Sequence, residues 1–422
     1  MYKKRKKAGD FVESSRKRIE KDIEYIGNIT ATPGNGCTRF SYTEEDRKVR
    51  DYLLNIFKDL DLDVSIDAVG NIRAKYKGEE ELPSIMIGSH IDTVKNGGKF
   101  DGVVGVITAL ETLRVIKEKN IKIKRPIELI IFAEEEGSNF GVTMLGSKYL
   151  IGYLKKEDLK EIKNDQEVSA YDMIKNFDLR IEEEDQKIIS KSEVECMIET
   201  HVEQGGILDT ENIPVGIVDA IAGMKTCKVL IKGTSNHAGS TPMDLRQDPM
   251  TGAAEIILGI EKLAKEEALD TTVGTVGKIF SKPNSTNVIP EQIEFYIDTR
   301  DVKPDGLDFM IKEIKKLIEK VCKKRKLESE FKVIGKNESV VLSEEIKGTI
   351  EKVAKEKDYK YKKINSGAVH DAAMLAEILD VGMIFVPSIK GKSHCPQELT
   401  KYEDIKQGCD LLIDSVVELC NK

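Results

Sequence analysis

Apolar residues recur at two different spacings along the chain. Near the start, Ile19, Ile23 and Ile26 share one helical face, and a second helical stripe runs from Val49 to Phe57. From residue 63 the pattern changes to short apolar runs over 64–68, 72–75 and 84–87, then to a helical pattern over 103–118 and another apolar run over 127–133. This alternation of strand and helix predicts an α/β fold with a largely parallel or mixed sheet.

The order of predicted elements changes after residue 215. A strand over 225–232 is followed by a loop, a helix over 249–265, strands over 272–279 and 292–299, and a helix over 307–323. That order is typical of a compact inserted α+β domain. The α/β texture then returns, with helices over 344–356 and 372–379 and a strand over 383–387. We therefore predict a catalytic domain in two parts, 1–216 and 333–422, with a mixed sheet flanked by helices, and an inserted domain at 217–332.

Composition and charge narrow the class of protein. A chain of 422 residues favours two domains. Its net charge of −8 gives no reason to expect a nucleic-acid partner, and the basic run at residues 3–7 is expected to be a solvated terminus. No apolar stretch reaches the ~20 residues that span a bilayer, so we predict a cytoplasmic protein without a membrane partner. The seven cysteines show no CxxC spacing, which argues against a thiolate zinc site.

The stretch from 85 to 137 concentrates the candidate chemistry. Apolar runs there lead to His90 and to the acidic triplet at 134–136, and Asp101 lies between them. Because ligands gather outside the carboxyl ends of strands in open α/β sheets, we expect His90, Asp101 and Glu136 to hold metal, with Glu135 beside them as a proton carrier. The alternative for the triplet is a solvated charge run.

Asp92 follows His90 by two residues, on the same side of an extended segment. We expect its carboxylate to accept the second imidazole N–H of His90, and the alternative is a turn cap. The chain has only five histidines, and each lies in a polar or small-residue context. Together with carboxylates, such histidines are typical of hydrolytic zinc, manganese or cobalt centres.

A series of motifs then makes the resemblance specific. The motifs, in chain order, are GSHIDTV at His90, FDGVVGV at Asp101, EEGS at Glu136, HVEQG at His201, NHAGSTPM at His237, NVIP at Asn287, DTR at Arg300, SGAVHDA at His370 and SHCPQE at His394. This series resembles the amidase/hydantoinase/carbamoylase family of the M20 metallopeptidase clan, which includes N-carbamoyl-L-amino acid hydrolases, β-ureidopropionase and allantoate amidohydrolase. The resemblance runs from about Thr43 to the C-terminus.

The resemblance implies a pair of divalent cations bridged by Asp101. Zinc is the first expectation, and manganese, cobalt and nickel are the alternatives. The other implied ligands form two pairs, Glu136 with His394 and His90 with His201. Glu135 is then the base that activates water, and Asp92 supports the site.

The resemblance also implies substrate contacts and a partner. His237 stabilises the oxyanion, Arg300 binds the substrate carboxylate, and the remaining pocket residues are Gln204, Asn287, Gly367 and His370. The alternative for Arg300 is an ion pair with Asp298 or Asp301. The inserted domain acts as a lid and as the homodimer interface, so His237 serves either its own site or the partner subunit's site. Many relatives carry arginine where this chain has Asn139.

The implied activity is hydrolysis of the carbamoyl C–N bond of an N-carbamoyl-L-amino acid or β-ureido acid, which yields amino acid, carbon dioxide and ammonia. Allantoate is the alternative small ureido carboxylate. Weaker alternatives are an aminoacylase or dipeptidase and a catalytically silent dimeric binding protein.

Overall fold

A computed structural model of the protein describes residues 12–183 and 185–422, so the basic run at 3–7 lies outside the described residues. The chain forms two compact units. The first contains the residues up to Asp219, Leu342–Ile364 and His370–Lys422, and the second contains Ala220–Val341 and Asn365–Val369.

The described residues form strands and helices in alternation. The strands are β1 Asp63–Ile66, β2 Ile72–Tyr76, β3 Ser84–His90, β4 Ile127–Phe132, β5 Val194–Val202, β6 Val215–Ile221, β7 Gly223–Lys232, β8 Asn236–His237, β9 Val273–Lys282, β10 Val288–Ile289, β11 Gln292–Asp301, β12 Glu328–Asn337, β13 Val340–Val341, β14 Tyr361–Ser366 and β15 Asp380–Val386. The α-helices are α1 Arg16–Gly27, α2 Glu44–Asp59, α3 Val103–Glu118, α4 Leu145–Leu150, α5 Asp158–Glu161, α6 Ala170–Asn176, α7 Ile207–Glu211, α8 Pro249–Lys262, α9 Pro304–Arg325, α10 Glu344–Glu356, α11 Asp371–Leu375 and α12 Tyr402–Cys420.

A mixed sheet organises the first unit. Its strands follow the order β1-β2-β4-β3-β5-β15-β6. Strand β3 runs parallel to β4 and β5, and β15 runs parallel to β5. Every residue of β3 and β4 is buried, so these central strands are covered on both faces. The mixed α/β fold predicted from the apolar pattern is confirmed.

Helices from distant parts of the chain share the main core of the first unit. The buried residues Ile23 of α1, Leu53 of α2, Ile107 of α3, Ile350 of α10 and Leu412 of α12 belong to one apolar cluster that also includes residues of β3 and β4. Since α10 and α12 both follow the main segment of the second unit, Ala220–Val341, this core joins parts of the chain on either side of that segment.

The second unit has its own antiparallel sheet and core. The strand order is β12-β7-β11-β9, and α8 and α9 contribute Ile256 and Ile314 to the core under this sheet. Alternate residues of β11 are buried, so one face of the sheet packs on the helices and the other remains open. A short ladder pairs His237 of β8 with Val288 of β10.

The second unit extends further than the predicted insert at 217–332. Position 332 falls inside β12, which pairs with β7 from Glu328 to Asn337. Most residues of β12 are exposed or half-buried, so it lacks the apolar run by which the other strands were predicted. The compact unit therefore begins at 220 and continues to 341. Helix α11 is also shorter than predicted, because it ends at Leu375.

Candidate metal centre

Four adjacent parallel strands carry the candidate ligands at their carboxyl ends. His90 is the last residue of β3, the acidic triplet follows β4, His201 is the penultimate residue of β5, and His394 lies beyond β15. Asp101 lies immediately before Gly102, which caps the N-terminus of α3. The sheet therefore brings side chains that are up to about three hundred residues apart to one edge, as its parallel core requires.

His90 and His201 are both buried, and they present the same ring nitrogen to Asp101. His90 Nδ1 lies 3.1 Å from the backbone oxygen of Asp92, and His201 Nδ1 lies 2.9 Å from that of Val202. Each Nδ1 can donate to its carbonyl, which leaves Nε2 as the lone-pair nitrogen. His90 Nε2 is 3.5 Å and His201 Nε2 is 3.2 Å from Asp101 Oδ1.

The second oxygen of Asp101 faces the other candidate ligands. His394 Nε2 lies 3.5 Å from Asp101 Oδ2 and 3.5 Å from Glu136 Oε2. Two groups of donors therefore share Asp101, and within each group the donor atoms lie within 4.8 Å of one another. The first group contains His90, Asp101 and His201. The second group contains Asp101, Glu136 and His394.

The donor set fits a pair of divalent cations. It contains imidazole and carboxylate groups without thiolate, which suits zinc, manganese, cobalt or nickel. Glu136 Oε1 is buried and accepts no hydrogen bond from the described residues. A buried carboxylate oxygen in that state is costly unless a cation or another donor satisfies it.

The charges of the centre act strongly on one another. Hydrogen bonding to Asp101, aided by Glu136, raises the pKa of His394 to about 9 against the opposing effect of burial. Burial and then Asp101 raise the pKa of Glu136 to about 7. His201, His394 and His90 lower the pKa of Asp101 well below its usual value, although burial opposes them. A group of carboxylates of this density attracts positive charge, whether protons or metal ions.

Glu135 is buried beside the first group, with Oε2 at 3.8 Å from His90 Nε2. Burial raises the pKa of Glu135 well above its usual value, His90 opposes the shift, and Asp371 and Glu136 reinforce it. A buried carboxyl group with a raised pKa beside candidate metal ligands is suited to carrying a proton at neutral pH.

Asp92 makes different contacts from those predicted. Its carboxylate accepts hydrogen bonds from the backbone N–H groups of Glu135 at 3.2 Å and Glu136 at 3.0 Å. The distance from Asp92 Oδ1 to His90 Nδ1 is 3.6 Å, too long for a hydrogen bond, and the imidazole faces the backbone oxygen of Asp92 instead. Asp92 therefore orients the acidic triplet through its side chain and His90 through its main chain.

Two buried glutamates that the sequence interpretation did not single out brace the centre. Glu199 accepts from Ser89 Oγ at 2.7 Å and from the backbone N–H of Ala372 at 3.1 Å. Glu398 accepts from the backbone N–H groups of Phe100 and Asp101. Glu199 also lies near His201 and His370, but both of its oxygens already accept hydrogen bonds, so we assign no cation there. The only sequence signals were that Glu199 lies two residues before the His201 motif and that Glu398 ends the His394 motif.

Gln204 and His370 lie against the candidate ligands. Gln204 Nε2 is 2.7 Å from Asp101 Oδ2 and 3.3 Å from His394 Nε2, and Gln204 Oε1 is buried without a donor among the described residues. The ring of His370 packs edge-on against His201 at 4.5 Å between centroids. Burial and the neighbouring His201 lower the pKa of His370 well below its usual value, which keeps this ring neutral.

The acidic triplet separates into three environments. Glu134 has a left-handed backbone with φ of 53°, and its oxygens accept from the backbone N–H of Asn139 at 2.8 Å and from Asn139 Nδ2 at 2.9 Å. Asn139 Nδ2 also donates to the backbone oxygen of Ser41 at 2.8 Å. The side chain of Asn139 is therefore engaged inside the first unit.

His237 and Asn287 belong to the second unit, in the β8–β10 region. His237 Nδ1 accepts from the backbone N–H groups of Gly239 at 3.0 Å and Ser240 at 3.2 Å. The neutral ring therefore carries its proton on Nε2, the form that donates a hydrogen bond. Ser285 Oγ donates to Asn287 Oδ1 at 2.8 Å.

Arg300 and Gly367 meet within the second unit. Arg300 Nε donates to Asp298 Oδ1 at 2.9 Å, Nη2 donates to Asp298 Oδ2 at 3.3 Å, and Nη1 donates to the backbone oxygen of Gly367 at 2.9 Å. The ion pair with Asp298 considered in the sequence analysis is thus present. A guanidinium has five N–H donors, so two remain for a further acceptor.

Comparison with known proteins places this centre in a family. The sequence profile of peptidase family M20/M25/M40 matches residues 86–418. The chain belongs to peptidase family M20/M25/M40. It is 38% identical to an N-carbamoyl-L-amino-acid amidohydrolase of Pseudomonas sp. strain NS671 over 96% of this chain and 99% of the relative. It is 35% identical to a ureidoglycolate hydrolase of Arabidopsis thaliana, covering 95% of this chain and 86% of the relative. It is 31% identical to an allantoate amidohydrolase of Bacillus subtilis, covering 96% of this chain and 98% of the relative.

A solved structure agrees with this placement. An amidase of the hydantoinase/carbamoylase family from Burkholderia multivorans superposes with a TM-score of 0.91 at 27% identity, covering 97% of this chain and 99% of that one. Within the M20 family the chain is thus an amidohydrolase of the hydantoinase/carbamoylase group, as the motifs predicted.

Among the described residues, none of the helices is long and apolar enough to cross a membrane.

Proposed function

We propose that the protein is a two-metal amidohydrolase that cleaves the carbamoyl C–N bond of an N-carbamoyl-L-amino acid. The observation that carries this proposal is the pair of donor groups that share Asp101, with Glu135 at 3.8 Å from one of their histidines. The relative at 38% identity is named for this reaction and supports the choice of substrate.

His90, His201 and Asp101 would hold one cation, and Asp101, Glu136 and His394 the other. Such ions, when bound, would polarise a carbonyl oxygen and lower the pKa of water, which suits the unreactive carbonyl of a ureido group. Zinc is our first expectation. Metal analysis of protein purified without added metal tests it, with manganese, cobalt and nickel as the other outcomes.

The residues of this chain would move the proton and bind the substrate. Glu135 takes a proton from the attacking water and passes it to the nitrogen of the departing amino acid, so that the C–N bond breaks and leaves free amino acid and carbamate. The carbamate then breaks down to carbon dioxide and ammonia. His237 donates from Nε2 to the oxyanion, a contribution of roughly 3–4 kcal/mol for such donors. Arg300 pairs with the substrate carboxylate through its two remaining N–H donors. Gln204, Asn287, Gly367 and His370 would complete the contacts.

Allantoate is the second candidate substrate, because the relative at 31% identity is named for it and it also combines a ureido group with a carboxylate. The test is ammonia release by the metal-loaded protein from a panel of N-carbamoyl-L-amino acids, N-carbamoyl-β-alanine, allantoate, ureidoglycolate and an N-acetyl amino acid. Turnover of an N-carbamoyl-L-amino acid that stops with chelator is expected.

Each other result selects an alternative. Faster turnover of allantoate or ureidoglycolate moves the assignment to that substrate, and free amino acid from the N-acetyl compound alone indicates an aminoacylase. If every compound is inert in a protein that still binds one of them, the protein is a silent binder.

We further propose a homodimer formed through the second unit. Its described surface exposes Met243, Leu245, Leu258 and Phe280, each of which is at least half accessible to solvent. Exposed apolar side chains of this size are typical of protein interfaces. Light scattering should give a dimer that Leu258→Glu weakens, whereas Ile188→Glu, at an exposed apolar position of the first unit, leaves the mass unchanged. A wild-type monomer would contradict the proposal.

A further inference from the structure

Glu398 is a buried carboxylate close to the candidate metal centre, with only 5% of its surface exposed. Its Oε1 accepts from the backbone N–H groups of Phe100 at 2.9 Å and Asp101 at 3.1 Å. Its Oε2 accepts from Ser393 Oγ at 2.7 Å. One side chain thus holds the main chain at Asp101 and the residue that precedes His394.

Ser393 completes the connection. Its Oγ lies 2.9 Å from Asp101 Oδ2 as well as next to Glu398. Asp101 and Glu398 are separated by 297 residues, so no local structure fixes their spacing. The carboxylate of Glu398 and the hydroxyl of Ser393 therefore link the segment of Asp101 to the segment of His394 at both the main chain and the side chain.

The surrounding chain leaves little freedom to this carboxylate. A β-carbon built on Gly98 would lie 2.1 Å from Glu398 Oε1 and 2.4 Å from Glu398 Cβ. Because Gly98 lacks a side chain, its backbone closes directly over Glu398. The carboxylate is confined to the position in which it meets the two N–H groups and the serine.

We propose that Glu398 is a positioning residue that sets the distance between Asp101 and His394 and so the affinity of the cation site these two residues share with Glu136. This inference rests on the proposed function, because it assumes that the donors hold metal. Glu398 itself contacts neither substrate nor a cation in this proposal. Loss of a hydrogen bond that supports a metal ligand in this way typically lowers metal affinity by about 10- to 100-fold.

The test is Glu398→Gln, which keeps the side-chain volume and one acceptor oxygen. The oxygen that accepts from Ser393 is replaced by an NH2 group, which cannot accept that hydrogen bond. We expect titration of the metal-free protein with Co²⁺ to show one of two sites weakened about 10- to 100-fold. The absorption spectrum of the Co²⁺-loaded variant should also change. At saturating metal, kcat should fall while KM stays close to the wild-type value.

Asp410→Asn is the matched control. Asp410 is also buried, and its Oδ1 accepts a backbone N–H and a hydroxyl from one serine, Ser14, at 2.7 Å each. It lies on α12, and among the described residues it makes no hydrogen bond or ion pair with a candidate ligand. This control should lower the unfolding temperature but leave Co²⁺ affinity and the spectrum unchanged, so loss of any buried carboxylate is distinguished from loss of the positioning one.

Ser393→Ala keeps the test decisive if Glu398→Gln does not fold. It removes the hydroxyl between the two carboxylates, and we expect a smaller loss of Co²⁺ affinity at the same site. Wild-type Co²⁺ affinity and spectrum in a folded Glu398→Gln, or in Ser393→Ala when the former does not fold, overturn the inference and leave the proposed function standing. If the wild-type protein binds no pair of ions, the proposed function fails.

Discussion

The three consecutive residues at 134–136 are all glutamates, but each lies in a different environment. Glu134 bonds to Asn139, Glu135 lies beside His90, and Glu136 lies beside His394. The left-handed backbone at Glu134 turns the chain so that its neighbours diverge, and Asp92 fixes the turn through the next two N–H groups. The chemistry of each carboxylate is thus set by its contacts rather than by its residue type.

Replacing Glu135 with glutamine should separate proton transfer from metal binding. The amide keeps the shape of the side chain but cannot accept a proton, so kcat should fall by about 10²–10⁴-fold. Metal content and unfolding temperature should match those of the wild type, because Glu135 is not among the proposed ligands. Turnover that persists at the wild-type rate would remove Glu135 from the base role.

Replacing Arg300 with lysine should weaken substrate binding. Lysine lacks the planar fork that pairs with a carboxylate, and it also breaks the double contact with Asp298. We expect KM for an N-carbamoyl-L-amino acid to rise at least about tenfold, equivalent to ~1.4 kcal/mol, with a smaller change in kcat. The carboxamide analogue of the same substrate is the control, since its KM should not respond. An unchanged KM for the carboxylate would reject the assignment.

At the level of elements, the site depends on where strands end and helices begin. Gly102 caps the N-terminus of α3 with φ of 65°, and a β-carbon there would lie 2.4 Å from His90 Cε1. Its N–H also points to His201 Nε2 at 3.3 Å. A single glycine thereby allows the start of α3 to approach both histidines of one donor group.

Substituting alanine at Gly102 should displace His90 and weaken metal binding. Gly34→Ala is the matched control, because Gly34 also has a positive φ, of 81°, but a β-carbon there meets nothing within 4 Å. Both variants should lose roughly 1–2 kcal/mol of stability from the left-handed backbone. Only Gly102→Ala should lose Co²⁺ affinity, measured by titration. Equal affinities in the two variants would contradict the steric argument.

The sequence predicted those elements whose apolar pattern is strong. The apolar run over 84–87 predicted β3, which continues to His90, and the helical pattern over 103–118 predicted α3. Strand β12 was missed because its residues are mostly exposed. The bracing role of Glu199 and Glu398 was also missed, because each joins segments at least about a hundred residues apart and no local pattern encodes such contacts. The observed hydrogen bonds of Asp92 to the N–H groups of Glu135 and Glu136 depend on the turn at Glu134, and the spacing of apolar residues does not reveal that turn.

At the scale of the whole molecule, the candidate ligands draw on most of the first unit, from His90 to His394. Ions bound to that set would stabilise the folded state, because the unfolded chain cannot present the same donors together. The second unit has a separate core and supplies none of these five donors. Metal binding should therefore act on the stability of the first unit.

Removing metal should lower the unfolding temperature. An ion present at 100 times its Kd contributes ~2.7 kcal/mol, so chelation should remove at least that amount from the free energy of unfolding. Calorimetry with and without chelator measures it, and added zinc should restore the original transition. The His394→Ala variant should show a smaller difference between the two conditions. Identical transitions with and without chelator would show that no ion supports the fold.

The place of β15 in the sheet has a consequence for biosynthesis. This strand lies between β5 and β6, yet it begins at Asp380, long after both neighbours have been translated. Until β15 leaves the ribosome, β5 has an unpaired edge, and such an edge readily pairs with other chains. A nascent chain that stops after β6 would therefore need a chaperone to shield that edge. Premature termination should yield aggregates rather than a partly active enzyme.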